Sequence, residues 1–556
     1  MKNLKKRLSV LVTMGLCVAM TVGLAACGNS GNNASTDTKT LTVQLGPTPE
    51  TIDPALNSAV DGGNYILFCY DNLLTLDKDG NVAPGLAKKW ETSKDKKTWT
   101  FHLRDGLKWS DGSKLTAKDF VYSWRRVADP KTAAPYGETV LKMVKGYKDA
   151  IGNPDDKGKQ TTKPDTSKLG VVAKDDKTLV VTLNNPCSYF DQLAAFTTLS
   201  PVKESSIKKY GDKWSITPKA YVTSGAFYVS EYEKDHITFK KNPNYWNASA
   251  IKLETIKAIL TNDTNAAYTA YQSGKAQMIK SVPTDQVKAL QGKSDFHVDK
   301  ILGTYYISLN HKKAVFKDAK VREALSLAID RNYISKTITN GVYSPANTFV
   351  PSGVKNTDGS DWIKSINNGQ GYINNDTHKE NLEKAKKLLA EAGHKDGKGI
   401  PTITYSINDD GYHKKIGEYL QQAWKQLGIN LKVDVVEWQS FLPQRRAGNY
   451  DSCRNGWVMD YNDPSNILEL LTTTNGNNDG KYANRKFDAM IEKAANDTNN
   501  AERNKIYHQA EDMLMKDTAM IPLLYYNDFY LQNSNVTGSW HGVNGYWYFQ
   551  YASISK

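Results

Sequence analysis

The chain has 556 residues, 39% of them hydrophobic, and its 72 Lys and Arg outnumber 59 Asp and Glu to give a formal charge of +13. That length suits two or three domains with a large core. The excess lysines stand singly among acids, without the basic blocks and interleaved aromatics of a nucleic-acid surface, so a solvated face beside an anionic surface is sufficient.

At the amino end, Lys2, Lys5, Lys6 and Arg7 precede an apolar stretch from Leu8 to Leu24, followed by Ala25, Ala26 and Cys27. Residues 1–26 read as a secretory signal peptide with small residues at the cleavage point. The Leu-Ala-Ala-Cys tetrapeptide resembles a bacterial lipobox, which implies a diacylglyceryl thioether on Cys27. Two acyl chains hold a protein stably at a membrane. Residues 27–40, rich in Gly, Asn and Ser, read as a flexible tether. No other run is long and apolar enough to span a bilayer. Cys69, Cys187 and Cys453 remain, an odd number without CxxC spacing, and read as small buried hydrophobes with at most one disulfide among them.

From Thr40, "TLTVQLG" alternates as a strand. "LLTLDKDGNVAPGLAKKW" places Asp79-Gly80 between apolar residues, the signal of a type I′ hairpin. Its DxDG lacks the remaining ligands of a calcium loop. "KTWTFHLRDG" alternates Trp99, Phe101 and Leu103, and a helix starts near Thr116. Farther on, Asp318 caps a helix carrying Val321, Ala324, Leu325, Ala328 and Ile329, and 379–392 repeats that stripe up to Gly393. The strand "TITYSI" (402–407), a helix through Ile416, Leu420, Ala423, Trp424 and Leu427, and the strand "INLKVDVV" form a βαβ unit. The body is thus hairpin-rich first and α/β second, and open sheets of this kind bind ligands at crevices off their strand ends. GxSxG, HExxH, GxxxxGK[ST] and a strand-following GxGxxG are all missing, so neither the motifs nor the scattered histidines suggest an enzyme or a metal site.

One stretch poses a physical problem. Gly456-Trp457-Val458-Met459 is an apolar run that ends on Asp460, and a carboxylate that loses hydration needs a partner. It either caps its own turn before Asn462-Asp463-Pro464 or meets a cation from a ligand. "RDGLKWSDGSKLTAKDFVYSWRRVADPKTAAPY" (104–136), "NPNYWN" (242–247), "GTYYISLN" (303–310), "KVREALSLAID" (320–330) and "GWVMDYNDPSN" (456–466) resemble the peptide-binding family of bacterial ABC importers, the extracellular solute-binding proteins of family 5.

The resemblance runs from about residue 40 to the carboxyl end and implies an α/β, two-lobe periplasmic-binding-protein-like fold (type II, large cluster) with a hairpin-rich domain inserted in the first lobe. The first lobe would comprise 41–75, 190–277 and 525–556, the insertion 76–189, and the second lobe 278–524. By the same resemblance, Asp460 and Tyr136 hold a peptide's amino terminus. Val60, Gly456 and Val458 pair with its backbone, and Trp438 and Trp457 wall its side-chain pockets. Arg454, Arg445, Lys313 and His413 match positions that hold the carboxyl terminus. Val458 stands where some relatives have a cysteine, so a disulfide built on that position is absent. The implied function is capture of oligopeptides outside the membrane, without cofactor or metal, by a monomer that delivers them to a permease with ATPase subunits on the far side. Relatives that bind dipeptides, signalling peptides, metal chelates or oligosaccharides keep the cargo open.

Overall fold

Leu41 and Val43 alternate with threonines and are fully buried, which makes Thr40–Gln44 (β1) an inner strand. Its neighbours in the sheet are Thr255–Ile259 on one edge and Met278–Ile279 on the other, both parallel to it. His236–Lys241 and Phe227–Tyr232 extend that sheet antiparallel. The computed structural model describes residues 37–155, 159–187, 189–497 and 499–556, so the signal peptide, Cys27 and most of the tether lie outside the described residues. No helix among the described residues is long and apolar enough to cross a membrane.

After β1 comes helix Val60–Cys69 (α1), then a separate four-stranded antiparallel sheet ordered Ala87–Thr92, Thr98–Leu103, Thr178–Thr182, Val171–Asp175. In the strand Thr98–Leu103 the buried positions are Trp99, Phe101 and Leu103, as their alternation predicts. The helix expected near Thr116 runs Ala117–Ala128, and the Asp119 carboxylate accepts the Thr116 N–H at 2.7 Å. The hairpin at Asp79-Gly80 forms but not through a type I′ turn, which needs two left-handed residues. Gly80 alone has a positive φ, 80°, and the Asp77 carboxylate accepts the N–H groups of Asp79 and Asn81 to shape a longer loop.

The second half begins with Met278–Ile279 (β2) and the 14-residue strand Phe296–Leu309 (β3). The βαβ unit is Ile403–Asn408 (β4), Gly411–Lys425 (α2) and Leu431–Val436 (β5), with β4 and β5 parallel from Ile403↔Leu431 to Asn408↔Val436. Helix Trp438–Ala447 (α3) follows, then Ser452–Val458 (β6), which inserts between β4 and β3, and finally Met520–Gln532 (β7).

β3 and β7 are long enough to serve both halves. Thr304–Ser308 of β3 pairs with the start of β7, Phe296–Lys300 with its later part, and the end of β7 reaches β2. The register breaks between Lys300 and Thr304, the local irregularity that lets paired strands bend. At this crossing Asp528 accepts Lys280 at 3.1 Å and lies 2.8 Å from the His541 imidazole, whose side chain is 1% exposed. Burial opposes a charge on that ring, but Asp299 and Asp528 hold its pKa above the usual value. Past β7 the tail docks on α1, where Trp547 donates its backbone N–H to Asn64 Oδ1 at 2.8 Å.

Candidate functional site

β6 is paired unequally. One edge follows β3 from Gly303↔Val458 to Leu309↔Ser452; the other meets β4 only at Ser452 and Cys453. Because the Met459 N–H bonds Leu302 O, the antiparallel alternation turns the backbone groups of Arg454, Gly456 and Val458 toward the unpaired edge. Those three residues are half-buried, while Cys453, Asn455 and Trp457 are buried on the opposite face. Such an edge is a template for an added strand. Across from it, Val60 opens α1, where the first N–H groups of a helix lack intrahelical acceptors. Val60 and Val458 both border Gly545, whose missing Cβ would lie 3.6 and 3.3 Å from their methyls.

Gly456 has its own constraint: a Cβ there would fall 2.2 Å from Tyr526 Oη. Gly456→Ala is therefore expected to displace Tyr526, lower ligand-free stability by about 1–3 kcal/mol in thermal unfolding and weaken ligand binding in titration calorimetry.

Asp460 sits at the end of this edge, half-buried. Tyr136 Oη donates to its Oδ1 at 3.4 Å and Asn466 Nδ2 to its Oδ2 at 3.2 Å. Burial pushes its pKa to about 7 against the pull of those two bonds, and no Lys, Arg or His among the described residues pairs with it. Asn466 organises the neighbourhood, because its Oδ1 also accepts the Asp460 backbone N–H at 3.1 Å and Trp457 Nε1 at 2.8 Å. The Tyr136 and Trp457 rings lie 5.6 Å apart. Trp438 Nε1 donates across the cleft to Asp61 Oδ2 at 2.8 Å, and burial raises the Asp61 pKa to about 6.

Toward the other end of β6, Arg454 donates to Tyr526 Oη at 3.0 Å and lies 5.5 Å over the Tyr305 ring, its Nε without a hydrogen-bond acceptor. It makes no ion pair among the described residues. The other three expected cations differ. His413 packs edge-on to Tyr305 at 5.3 Å, and burial drops its pKa to about 3, so the ring is neutral. Arg445 lies 2.8 Å from the buried Asp479 and is already neutralised, at ion-pair distance though without hydrogen-bond alignment. Lys313 is half-exposed, 2.9 Å from Asp451, beyond the end of β6 remote from Asp460. Of the four expected cations, Arg454 is the one that is both charged and without an ion pair among the described residues.

Asn466, Tyr526 and Asp61 were not singled out in the sequence. Asn466 could have been, since it closes the same polar turn as Asp460; Tyr526 and Asp61 come from remote segments and leave no local signal. Cys69, Cys187 and Cys453 are free thiols, and no group of three His, Cys, Asp or Glu among the described residues could hold a metal.

A ligand-sized strand edge between two closing halves, with an unneutralised charge at each end, is the geometry of a solute receptor. Residues 81–479 match the bacterial extracellular solute-binding proteins, family 5 Middle, and the chain belongs to that family. It is 35% identical to the periplasmic oligopeptide-binding protein OppA of Salmonella typhimurium, across 98% of this chain and 96% of that one. It superposes on Haemophilus influenzae OppA complexed with RPPGFSPFR at a TM-score of 0.85 and 31% identity, covering 94% of this chain and 99% of the other. The murein tripeptide-binding protein MppA of Escherichia coli gives 0.84 at 28% identity, with 94% and 99% covered. The unliganded open form of MppA gives 0.62, also at 28% identity, with 94% and 98% covered. The halves of the present chain are therefore arranged more as in the peptide complex than as in the unliganded open form.

Proposed function

We propose that this protein is the receptor of an ABC importer and captures oligopeptides by their backbone and termini. The observation that carries the reading is the unpaired edge of β6, with the uncompensated carboxylate of Asp460 at one end and the uncompensated guanidinium of Arg454 toward the other. A zwitterionic extended ligand supplies what each lacks: an ammonium for Asp460, a carboxylate for Arg454, and main-chain hydrogen bonds for Gly456 and Val458. Tyr136 orients Asp460, Val60 contributes from the first lobe, and Trp457 and Trp438 bound the space for side chains. Arg454 and Asp460 lie six residues apart, about 20 Å of extended chain, so a peptide touching both has no more than about six residues.

The division into lobes at about 278 and 525, with 76–189 inserted in the first, fits the crossing of β3 and β7. Export, lipidation of Cys27 and a tether of a dozen residues would hold the monomer at the outer membrane face beside its permease, and ATP would be consumed by other subunits. The protein itself performs no chemistry in this reading.

Mass spectrometry of ligands co-purified with the protein, followed by titration with free and N-acetylated peptides, tests it. Unmodified peptides are expected in the first measurement, and at least a tenfold loss on acetylation, about 1.4 kcal/mol, in the second. Equal binding of acetylated peptides would remove Asp460 from its assigned role, and a co-purified sugar or chelate would replace the cargo.

A further inference from the structure

Away from the strand edge, the rim of the cleft joins the hairpin-rich segment to the loop that leaves Asp460. The rings of Tyr189 and Tyr461 stack with centroids 4.4 Å apart and planes 8° from parallel, both side chains buried. Arg503 braces them from behind: its guanidinium lies 5.7 Å over the Tyr189 ring and holds Asp463 through two hydrogen bonds of 2.7 Å. Tyr461 directly follows Asp460, and Asp463 accepts the Ser465 N–H at 3.0 Å, one residue before the asparagine that orients the Asp460 carboxylate. Fixing Tyr461 therefore fixes the turn that aims Asp460.

Glu469 lies farther along the same segment. It is 1% exposed, and neither carboxylate oxygen has a hydrogen-bond donor among the described residues. Its ion partner is Lys142 Nζ, at 2.7 Å, from the opposite side of the cleft. A buried carboxylate stripped of its cation is strongly disfavoured. When the halves part, water takes the place of the ammonium; when they close, Lys142 must.

We propose that Tyr189 and Lys142 are positioning residues that latch the Asp460–Glu469 loop in the closed form, so that closure strengthens the binding of every peptide by the same factor. The inference rests on the peptide-binding reading above. Neither residue belongs to the unpaired edge of β6 or to the two charges at its ends, so the latch is blind to ligand sequence. Contacts made only in the closed form shift the open–closed equilibrium and multiply each intrinsic affinity equally.

The test is titration calorimetry of the wild type, Tyr189→Ala, Tyr189→Phe, Lys142→Ala and Lys142→Ala/Glu469→Gln with one basic, one neutral and one acidic peptide of equal length. The latch requires Tyr189→Ala and Lys142→Ala to lose at least about tenfold, by the same ratio for all three peptides. Tyr189→Phe keeps the ring and should bind as the wild type. The double variant should bind more tightly than Lys142→Ala alone, because the amide closes without a stranded charge. The ligand-free variants should melt as the wild type does, since the open form lacks these contacts. Unchanged affinities, losses that depend on peptide side chains, or a lowered ligand-free melting point would each overturn the latch. If the wild type binds no peptide, the peptide reading fails first. The latch is then read by X-ray scattering of protein still carrying its co-purified ligand: an expanded Lys142→Ala supports it and a wild-type radius overturns it.

Discussion

Asp460→Asn is expected to lose peptide affinity and to close more readily when empty. With its pKa raised from 3.8 to about 7 by burial, the closed form binds more protons here than the open form between those values, so this residue opposes empty closure as pH rises through that window. The full shift would correspond to about 4 kcal/mol; water reaching a half-buried group leaves about 1–2 kcal/mol. An amide carries no such penalty, and without ligand at pH 8 the variant should be more compact than the wild type by X-ray scattering. Binding moves the opposite way. The ammonium of a peptide would meet a neutral acceptor, and a loss of about 10–100-fold follows from breaking half of an enclosed ion pair. Wild-type affinity should also weaken at low pH, by up to tenfold per pH unit once the carboxyl of the open form is protonated, because only the carboxylate binds. The variant should lack that dependence. A variant that binds within threefold of the wild type, or a wild-type pH profile that matches the variant's, contradicts the assignment.

Arg454→Met should separate peptides by their other end. Its guanidinium has a tyrosine hydroxyl and an aromatic face for company and feels Asp410 only from beyond ion-pair distance, so a ligand carboxylate is its missing contact counter-charge. Arginine suits that task through its fork of donors. Free-acid peptides long enough to reach it should lose about 10–100-fold in the variant, and amidated versions of the same peptides should lose little. Calorimetry of the four combinations gives the coupling between residue and terminus directly. Equal losses for acid and amide would show that Arg454 serves packing alone, and His413, neutral in its buried site, is not expected to replace it.

Glu511 shows that a buried acid by itself does not mark a ligand. Burial raises its pKa to about 7, as at Asp460, yet its Oε1 accepts the backbone N–H groups of Phe349 and Val350 and its Oε2 the Trp362 indole N–H. Those three donors tie a loop to a helix. Asp460 differs in its position, at the mouth of an unpaired strand edge between two bodies.

Local periodicity made much of the fold legible. The alternation of Trp99, Phe101 and Leu103, the stripe from Val321 to Ile329 and the βαβ unit of 403–436 each record a face that must be buried, and a period of two or 3.6 residues survives in any context. Asp460 was legible for a related reason, since an ionisable group closing an apolar run demands a partner wherever the run is placed. Charge state was not legible. Arg445, Lys313 and His413 are basic residues in the sequence, but Asp479 neutralises the first, Asp451 engages the second and burial deprotonates the third. Their partners and surroundings come from other segments, and a side chain's electrostatics depends on everything within a few ångströms rather than on its chain neighbours. The amino-acid order by itself determined the helical and strand faces and showed that Asp460 needs a partner. Only the tertiary structure decided which edge of β6 stays open and which arginine stays free, because both depend on what distant strands and acids have already occupied.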